Sequence, residues 1–315
     1  MISKRQIFNG FILFSLFHLQ HTFATTLNIE PVKGKKYLSV GSFNIRDFGM
    51  TKASRPSVMN ALVAIVSSYD LIFIQELSNI PDDSCGPNTG KVICFFQQQL
   101  NDSSNKQFEL LVTPRDGNEQ MAIVYNVNRV ELAEHGLYAD PKESFARKPY
   151  IVRFRVGSGL IYFVTAHLAH YQAKKEIYAL DDLANTLERR DRDIVILGDF
   201  NASGSYFDEN HDWSGLHLLK KGYHQLIEDG ADTTVSSQND YTYDRILTSS
   251  SVSRLLDQKK GEVFHFDRSL EGGISMGPIQ DEGCSWGYLE CGATDEQAAL
   301  YVSDHYPVGF KLSIE

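Results

Sequence analysis

Polar side chains stand at the ends of six apolar, strand-like runs in this 315-residue chain. They are Asn44 after "LSVGSF", Glu76 after "LIFIQ", His167 after "IYFVTA", Asp199 with Asn201 after "IVILG", Asp244 before "RIL", and Asp304 with His305 before "PVGF". One polar strand end is ordinary, because a chain leaves the core through a polar turn. Six such ends indicate a site, because strand ends at one edge of a sheet lie close together.

These residue types suit metal-assisted hydrolysis of a phosphate ester. The oxygen ligands are Asn44, Glu76, Asp199, Asn201 and Asp304. Such ligands favour a hard divalent cation such as Mg²⁺, Mn²⁺ or Ca²⁺ over zinc. His167 and His305 are the imidazoles, and Asp244 and Glu119 are carboxylates able to orient them. In such a reaction one His/carboxylate pair activates water, the other protonates the leaving oxygen, and the metal offsets charge.

Short strands and amphipathic helices alternate from residue 38 onward and must position these side chains. Apolar spacing predicts a helix in "RPSVMNALVAIVSSY" and a longer one over roughly residues 172 to 190. The predicted strands are "YLSVGSFNI", "DLIFIQE", "QMAIVYNV", "YIVRFRV", "LIYFVTA", "DIVILGDF", "YDRILT", "GEVFHF" and "PVGFKLSI". This mixture predicts an α+β fold with packed sheets flanked by helices.

The first 24 residues have the layout of a secretory signal peptide. Lys4 and Arg5 precede the apolar run "IFNGFILFSLFHL", and small residues follow it. A transmembrane anchor or a buried helix is the alternative, but the run is shorter than the roughly 20 residues that span a bilayer. We therefore expect an exported protein whose residues 25–315 form a single domain.

The charge of the chain is acidic. It has 30 basic and 40 acidic residues, and removing Lys4 and Arg5 leaves 28 basic residues and a net charge of −12. A protein that binds a polyanion is usually basic. Either the ligand is not a polyanion, or bound cations offset the charge at the site.

The four cysteines form two close pairs in sequence, Cys85 with Cys94 and Cys284 with Cys291. In an exported chain this predicts two local disulfides. Zinc is the alternative, but neither spacing matches a C-x2-C pattern. Such bridges stabilise surface loops and do no catalysis.

Several motifs resemble those of the endonuclease/exonuclease/phosphatase superfamily, and most closely its secreted deoxyribonuclease I-like branch. In order along the chain they are "SFNIRDFG", "IQEL", "TAHLA", "ILGDFNA", "ADTT", "YDRIL" and "SDHYPV". The GDFN and SDH elements are similar to the whole superfamily, and the N-I-R-x-F-G, D-T-T and Y-D-R-I elements resemble the narrower branch. The resemblance runs from about residue 38 to the end.

The resemblance implies a four-layer αββα sandwich, two packed mixed sheets between helices, with the site at the sheet ends. It places the catalytic divalent ion on Glu76 and Asn44, with Asp304 nearby. It places Asp199 and Asn201 against metal, water or the scissile phosphate.

Two acid/base pairs are also implied by the resemblance. His305 pairs with Asp244, and His167 pairs with Glu119. The positions that contact backbone phosphates in the family correspond to Arg46 and Arg147.

The chain departs from the family where its members reach into the DNA minor groove. The family's arginine corresponds to Leu77 or Ser78, and its tyrosine to Gly117 or Asn118. A preference for duplex over single strands is therefore left open. A long family disulfide is absent, since Ser203 and Tyr241 occupy that region, and a structural calcium site is expected at Asp232 in the "DTT" loop.

The sequence thus predicts a secreted, divalent-metal-dependent endonuclease that uses Mg²⁺ or Mn²⁺ and acts on DNA without stable membrane association. A sphingomyelinase or phosphoinositide phosphatase of the same superfamily is one alternative. A nuclease subunit of the cytolethal-distending-toxin kind is another, and a non-catalytic binding protein on this fold is a third.

Overall fold

The computed structural model describes residues 36–78, 92–117 and 119–314. Its strands are β1 (Lys36–Phe48), β2 (Leu71–Ser78), β3 (Phe108–Val112), β4 (Glu119–Asn126), β5 (Val130–Leu137), β6 (Tyr150–Val156), β7 (Gly159–His167), β8 (Ile194–Asp199), β9 (His224–Gln225), β10 (Asp244–Thr248), β11 (Glu262–Val263) and β12 (Val308–Ile314). Its α-helices are α1 (Met50–Ala53), α2 (Pro56–Ser67), α3 (Val92–Ser103), α4 (Ala173–Glu188), α5 (His217–Lys220), α6 (Ser250–Ser253), α7 (Gly277–Trp286) and α8 (Asp295–Ala299).

The described strands form two mixed sheets of six strands each. The first has the order β11-β12-β1-β2-β4-β3, and the second has the order β5-β6-β7-β8-β10-β9. β1 pairs with β2 in parallel, and β7 pairs with β8 in parallel. The remaining pairs of neighbouring strands are antiparallel.

The sheets pack face to face and helices cover their outer faces. In β2, Leu71 and Phe73 point into the layer between the sheets, whereas Ile72 and Ile74 pack against the helices. This explains why the strand is apolar without alternation, since both of its faces are buried. On the second sheet the apolar side of α4 closes the outer core. The predicted α+β, four-layer αββα sandwich is confirmed.

The predicted elements agree with the structure except at one strand. The helix predicted over 172 to 190 is α4, and α2 begins at Pro56, where a missing N–H is tolerated. "GEVFHF" was predicted as a full strand but pairs only over β11, because the chain then turns and buries Phe266 under the helices. No helix of the described residues is long and apolar enough to cross a membrane.

The cysteines were predicted to form two local disulfides. Cys284 and Cys291 are joined by a disulfide at the end of α7. Cys94 is disulfide-bonded as well, whereas Cys85 lies outside the described residues. The predicted signal peptide, residues 1–24, also lies outside them.

Candidate active site

Three neighbouring strands bring three polar side chains into one row. His167 at the end of β7 is in register with Asp199 at the end of β8, and Asp244 at the start of β10 is in register with the same Asp199. The parallel and antiparallel neighbours of β8 therefore deliver their polar ends to one edge of the sheet. Close approach of β7 and β8 requires Gly198, because a Cβ at its φ of 146° would lie 1.9 Å from the Ala166 carbonyl oxygen.

His167 forms a hydrogen-bonded pair with Glu119 from β4 of the other sheet. The His167 Nδ1 atom lies 2.7 Å from Glu119 Oε2, and an Arg147 nitrogen lies 3.4 Å from Glu119 Oε1. Burial opposes protonation of His167, but the hydrogen bond to Glu119 and the charge of Asp199 outweigh it and raise the His167 pKa. The imidazole is thereby a proton carrier with Nε2 turned into the site.

His305 forms the second pair with Asp244. The His305 Nδ1 atom lies 2.8 Å from Asp244 Oδ2, and both side chains are buried. Burial opposes protonation of His305, but the charges of Asp244 and Asp199 overcome it and raise the pKa of His305 to about 10. Burial raises the pKa of Asp244 to about 6, against the charge of His305. His305 therefore holds the proton of this pair more strongly than Asp244 does.

Asp199 lies between the two imidazoles. The Nε2 atoms of His167 and His305 each lie 3.6 Å from the same oxygen, Asp199 Oδ2. The other oxygen, Oδ1, accepts the backbone N–H of Asn201 at 2.9 Å. Burial would raise the pKa of Asp199, but the facing histidine charges and the hydrogen bonds from Asn201 and Asn44 lower it. Both proton carriers therefore face one fixed carboxylate.

Asn44 and Glu76 extend the site across to the first sheet. The Asn44 amide nitrogen donates to Glu76 Oε1 at 2.8 Å and to Asp199 Oδ2 at 3.1 Å. Its amide oxygen accepts the backbone N–H of Arg46 at 2.9 Å. Glu76 has a φ of 63°, and the registers of β1 with β2 and of β2 with β4 shift at these residues. Left-handed backbone at a non-glycine residue is unfavourable and is concentrated at functional sites.

Three further predicted residues line the rim or brace the site. Asp304 is partly exposed, and its Oδ2 lies 3.6 Å from Arg46 Nε. The Arg147 guanidinium donates to the carbonyl oxygens of His167 and Leu168 as well as facing Glu119.

Asn201 is turned to the backbone. Its amide nitrogen donates to the Leu168 carbonyl oxygen at 2.9 Å, and its own φ is 50°. The residue therefore fixes the end of β8 next to Asp199, and its backbone N–H is the group that touches the site carboxylate.

Asp232 is separate from this cluster. Its Oδ1 accepts the backbone N–H and the hydroxyl of Thr234, at 2.9 and 2.8 Å, within its own loop. The same loop touches the site through its backbone, because Thr234 bridges to His305. Of the positions expected to reach a minor groove, Leu77 is fully buried and Gly117 has no side chain.

Two buried cations that support the site were not predicted from the sequence. Lys52 donates to the carbonyl oxygens of Ile45, Arg46 and Val302, and burial lowers its pKa to about 8. It thereby joins the left-handed turn after Asn44 to the loop that carries Asp304 and His305. In sequence it is one lysine in "MTKAS", and nothing there signals burial.

Arg245 is the second buried cation. It is fully buried next to Asp244, donates to Asp229 at 2.7 Å and to Glu209, and holds the Thr242 and Ala202 carbonyl oxygens. The "YDRIL" motif contained the signal, since an arginine inside a buried strand requires partners.

The oxygen donors suit a hard divalent cation. No group of three or more His, Cys, Asp or Glu side chains in the described ranges is arranged to hold a metal ion by itself. Mg²⁺ commonly takes one or two protein carboxylates and keeps several waters. Glu76 supplies a carboxylate and Asp304 a second one at the rim, so these residues fit such an ion, while Asn44 turns its amide nitrogen to Glu76 and its amide oxygen to the Arg46 N–H.

The fold and the two His/carboxylate pairs define a class of αββα hydrolases. The model of the endonuclease/exonuclease/phosphatase family matches residues 41–305. The chain is 31% identical to deoxyribonuclease-1 of Sus scrofa over 290 residues, covering 87% of this chain and 91% of that protein. It is 29% identical to deoxyribonuclease-1-like 2 of Mus musculus over 288 residues, covering 88% and 92%.

Solved structures share the fold at lower identity. TDP2 of D. rerio complexed with single strand DNA product matches with a TM-score of 0.57 at 15% identity, covering 88% of this chain and 99% of that one. A mannosyl-6-phosphatase of Bacteroides thetaiotaomicron matches with a TM-score of 0.55 at 14% identity, covering 87% and 99%. The chain belongs to the endonuclease/exonuclease/phosphatase family, and within it is a deoxyribonuclease I-like member.

Proposed function

We propose that this protein is a secreted, divalent-metal-dependent endonuclease that hydrolyses DNA phosphodiester bonds. The observation that carries the proposal is the placement of two His/carboxylate pairs whose Nε2 atoms face one oxygen of Asp199. Two proton carriers on either side of one position suit a reaction that removes one proton and delivers another. The similarity to proteins named deoxyribonuclease supports DNA as the substrate.

In the proposed reaction a water oxygen bonds to phosphorus while the bond from phosphorus to one ester oxygen breaks. One imidazole Nε2 accepts the proton that the water loses, and the other imidazolium donates its proton to the leaving oxygen. Glu119 and Asp244 hold the Nδ1–H of their histidines, which leaves Nε2 free for both transfers. Asp199 keeps both rings turned inward and stabilises their positive charge.

Glu76 and Asn44, with Asp304, are the residues that would hold Mg²⁺ or Mn²⁺. The bound ion would supply positive charge against the phosphate in the transition state. Arg46 and Arg147 line the opening and are proposed to contact neighbouring backbone phosphates. The structural Ca²⁺ assigned to Asp232 stays a prediction, whose test is a Ca²⁺-dependent increase in melting temperature that Asp232→Asn abolishes.

We further propose that residues 1–24 are a signal peptide and that residues 25–315 form one secreted domain. The disulfide between Cys284 and Cys291 supports this, because disulfides persist in oxidising compartments. Mass spectrometry of the protein recovered from culture medium, with its N-terminus near Thr25, tests the proposal.

Incubation of residues 25–315 with supercoiled plasmid tests the activity directly. We expect nicking with Mg²⁺ and none with excess chelator. His305→Ala and His167→Ala should each lose nicking, whereas His217→Ala should retain it. His217 is a matched control because it pairs with Asp181 at 3.1 Å on the surface, away from Asp199. Phosphocholine release from sphingomyelin without plasmid cleavage would move the function to the sphingomyelinase alternative.

A further inference from the structure

A row of aromatic rings leads from the candidate active site to the surface. Tyr243 lies 6.0 Å from His305 and 5.9 Å from Tyr206, measured between ring centroids. Tyr206 lies 5.2 Å from His170, which lies 5.5 Å from Tyr171. We call these five residues the aromatic row.

Separate segments build the row. His170 and Tyr171 lie in the short turn His170–Gln172 after β7. Tyr206 lies in the loop after β8, and Tyr243 directly precedes β10. These segments follow or precede the three strands that carry His167, Asp199 and Asp244. The row and the proton carriers are therefore positioned by the same strand ends.

The outer rings of the row are exposed. Tyr171 is 71% exposed and Tyr206 is 38% exposed, although large apolar rings are normally buried. Packing of the core does not explain them, because the core cluster under this sheet closes on Phe200, Phe207 and Trp213 instead. Exposed aromatic rings grouped beside a catalytic site are typical of surfaces that bind a ligand with flat faces.

The surface next to the outer rings carries positive charge. His170, Tyr171 and Tyr206 border a cleft of about 700 Å³ whose lining also includes Lys174 and Lys175. Lys174 is held by Asp212 at 2.6 Å, whereas Lys175 is exposed to solvent. Aromatic faces combined with lysines suit a nucleic-acid strand, whose bases stack and whose phosphates are anionic.

We propose that the aromatic row stacks unpaired bases of the DNA strand next to the scissile phosphate, so that this enzyme favours single-stranded or locally melted DNA. This inference rests on the proposed function. Inside a duplex each base is already stacked on both faces, so only an unpaired base presents a face to Tyr171 or Tyr206. The row runs outward from His305, with Tyr206 two ring contacts away and Tyr171 four, so the stacked bases would follow the cleaved linkage along the strand.

The test compares kcat/KM on a non-self-complementary single strand and on the duplex of the same sequence. We expect the wild type to favour the single strand. Replacing both Tyr171 and Tyr206 by alanine should lower kcat/KM on the single strand about tenfold and leave the duplex value within about twofold. The double Tyr→Phe variant should retain the preference, because it keeps both rings.

Two controls keep the result specific to stacking. Trp286→Ala removes a ring on α7 whose exposure, 59%, lies between those of Tyr206 and Tyr171, and it should change neither rate. Abasic sites beside the cleaved linkage should lower the wild-type rate on the single strand but not the rate of the double alanine variant. Tyr171→Ala alone, at the most exposed ring of the row, provides the same comparison if the double variant unfolds.

The outcomes separate the inference from the function on which it rests. If the wild type cuts both DNAs but the double variant loses nothing, or loses equally on both, the stacking proposal is wrong and the endonuclease proposal stands. If the wild type cuts neither DNA with Mg²⁺ present, both proposals are wrong. A loss confined to the single strand supports both.

Discussion

The two His/carboxylate pairs make the same hydrogen bond in different surroundings. Asp244 is completely buried beside His305, whereas the side chain of Glu119 is 27% exposed beside His167. Glu119 also faces the Arg147 guanidinium at 3.4 Å, a cation near the opening of the site. We call His305 and Asp244 the buried pair because its carboxylate is enclosed by protein, whereas the Glu119 carboxylate of the other pair is partly open to solvent.

This difference gives the two imidazoles different electrostatic surroundings. Two carboxylates, Asp244 and Asp199, face the buried His305, and in a low-dielectric surrounding they hold its proton strongly. At the other pair, the charge of Arg147 lowers the pKa of His167 and so partly offsets the effect of its carboxylates. We therefore expect changes at the buried pair to have the larger effects.

The largest expected effect is on catalysis. Asp244→Asn removes the charge that orients His305, and we expect kcat on plasmid DNA to fall by about 10³-fold or more. Glu119→Gln should lower it by roughly 10–100-fold, because Arg147 and solvent remain to compensate. Initial nicking rates with Mg²⁺, measured on variants with unchanged melting temperatures, give both values.

The order of these two losses is the informative result. An equal loss, or a larger loss for Glu119→Gln, contradicts the view that burial makes the Asp244 pair the more sensitive one. Asp181→Asn, at the surface pair with His217, is the control and should keep the wild-type rate.

The second-largest effect is expected on the stability of the fold, at Arg245 next to Asp244 of the buried pair. Arg245→Met leaves Asp229 and Glu209 without their buried partner and frees the chain beside Asp244. We expect the free energy of unfolding to fall by about 3–5 kcal/mol in urea denaturation.

Arg155→Met is the matched control for that loss, since Arg155 and Glu131 form an exposed pair at 3.3 Å. Arg155→Met should lower the free energy of unfolding by less than about 1 kcal/mol. Similar losses of unfolding free energy in the two arginine variants would show that Arg245 does not stabilise the chain next to Asp244 more than a surface ion pair would.

A smaller effect is expected in how the free energy of unfolding depends on pH. Because the pKa of His305 is raised to about 10, its protonation stabilises the folded state fully below its unfolded pKa and this contribution is lost as pH rises toward 10. In chelator, the difference in unfolding free energy between wild type and His305→Asn should shrink by roughly 1–3 kcal/mol from about pH 7 to about pH 10. His167→Asn should give a change of the same sign, since the pKa of His167 is also raised. A difference that grows with pH contradicts the assignment.

The smallest effect is expected at the rim. Arg46→Ala and Arg147→Ala should raise KM for DNA a few-fold and reduce the slope of log KM against log salt by about one charge each. Arg147→Ala should also lower kcat slightly, because it faces Glu119. Measurement of KM at several salt concentrations tests both, and unchanged slopes would remove these residues from the phosphate contacts.

Much of the fold and the row of site residues could be predicted from the sequence because strand ends carry their own signal. His167, Asp199 and Asp244 each adjoin a run of apolar residues, and neighbouring strands then bring them together. The adjacency of Asp304 and His305 also has a local explanation. The chain is not yet a regular strand there, so Asp304 faces Arg46 while His305 faces Asp244.

The parts that could not be predicted depend on partners distant in the chain. Lys52 contacts Val302, 250 residues away, and its burial is invisible in the local pattern. The left-handed backbone of Glu76 and Arg46 is imposed by the shifts in strand register and by Lys52, not by residue type. The aromatic row likewise combines four separate segments, and no single segment contains a repeat that signals it.

The central claim is that both pairs act in one reaction at Asp199. Plasmid nicking rates of His167→Ala, His305→Ala and the double variant test it most directly, with His217→Ala as the control. We predict that each single variant loses about 10³-fold or more and that the double variant is little worse than either one, because residues that act together are not additive. Wild-type nicking by either single variant, or losses that multiply in the double variant, would contradict the account.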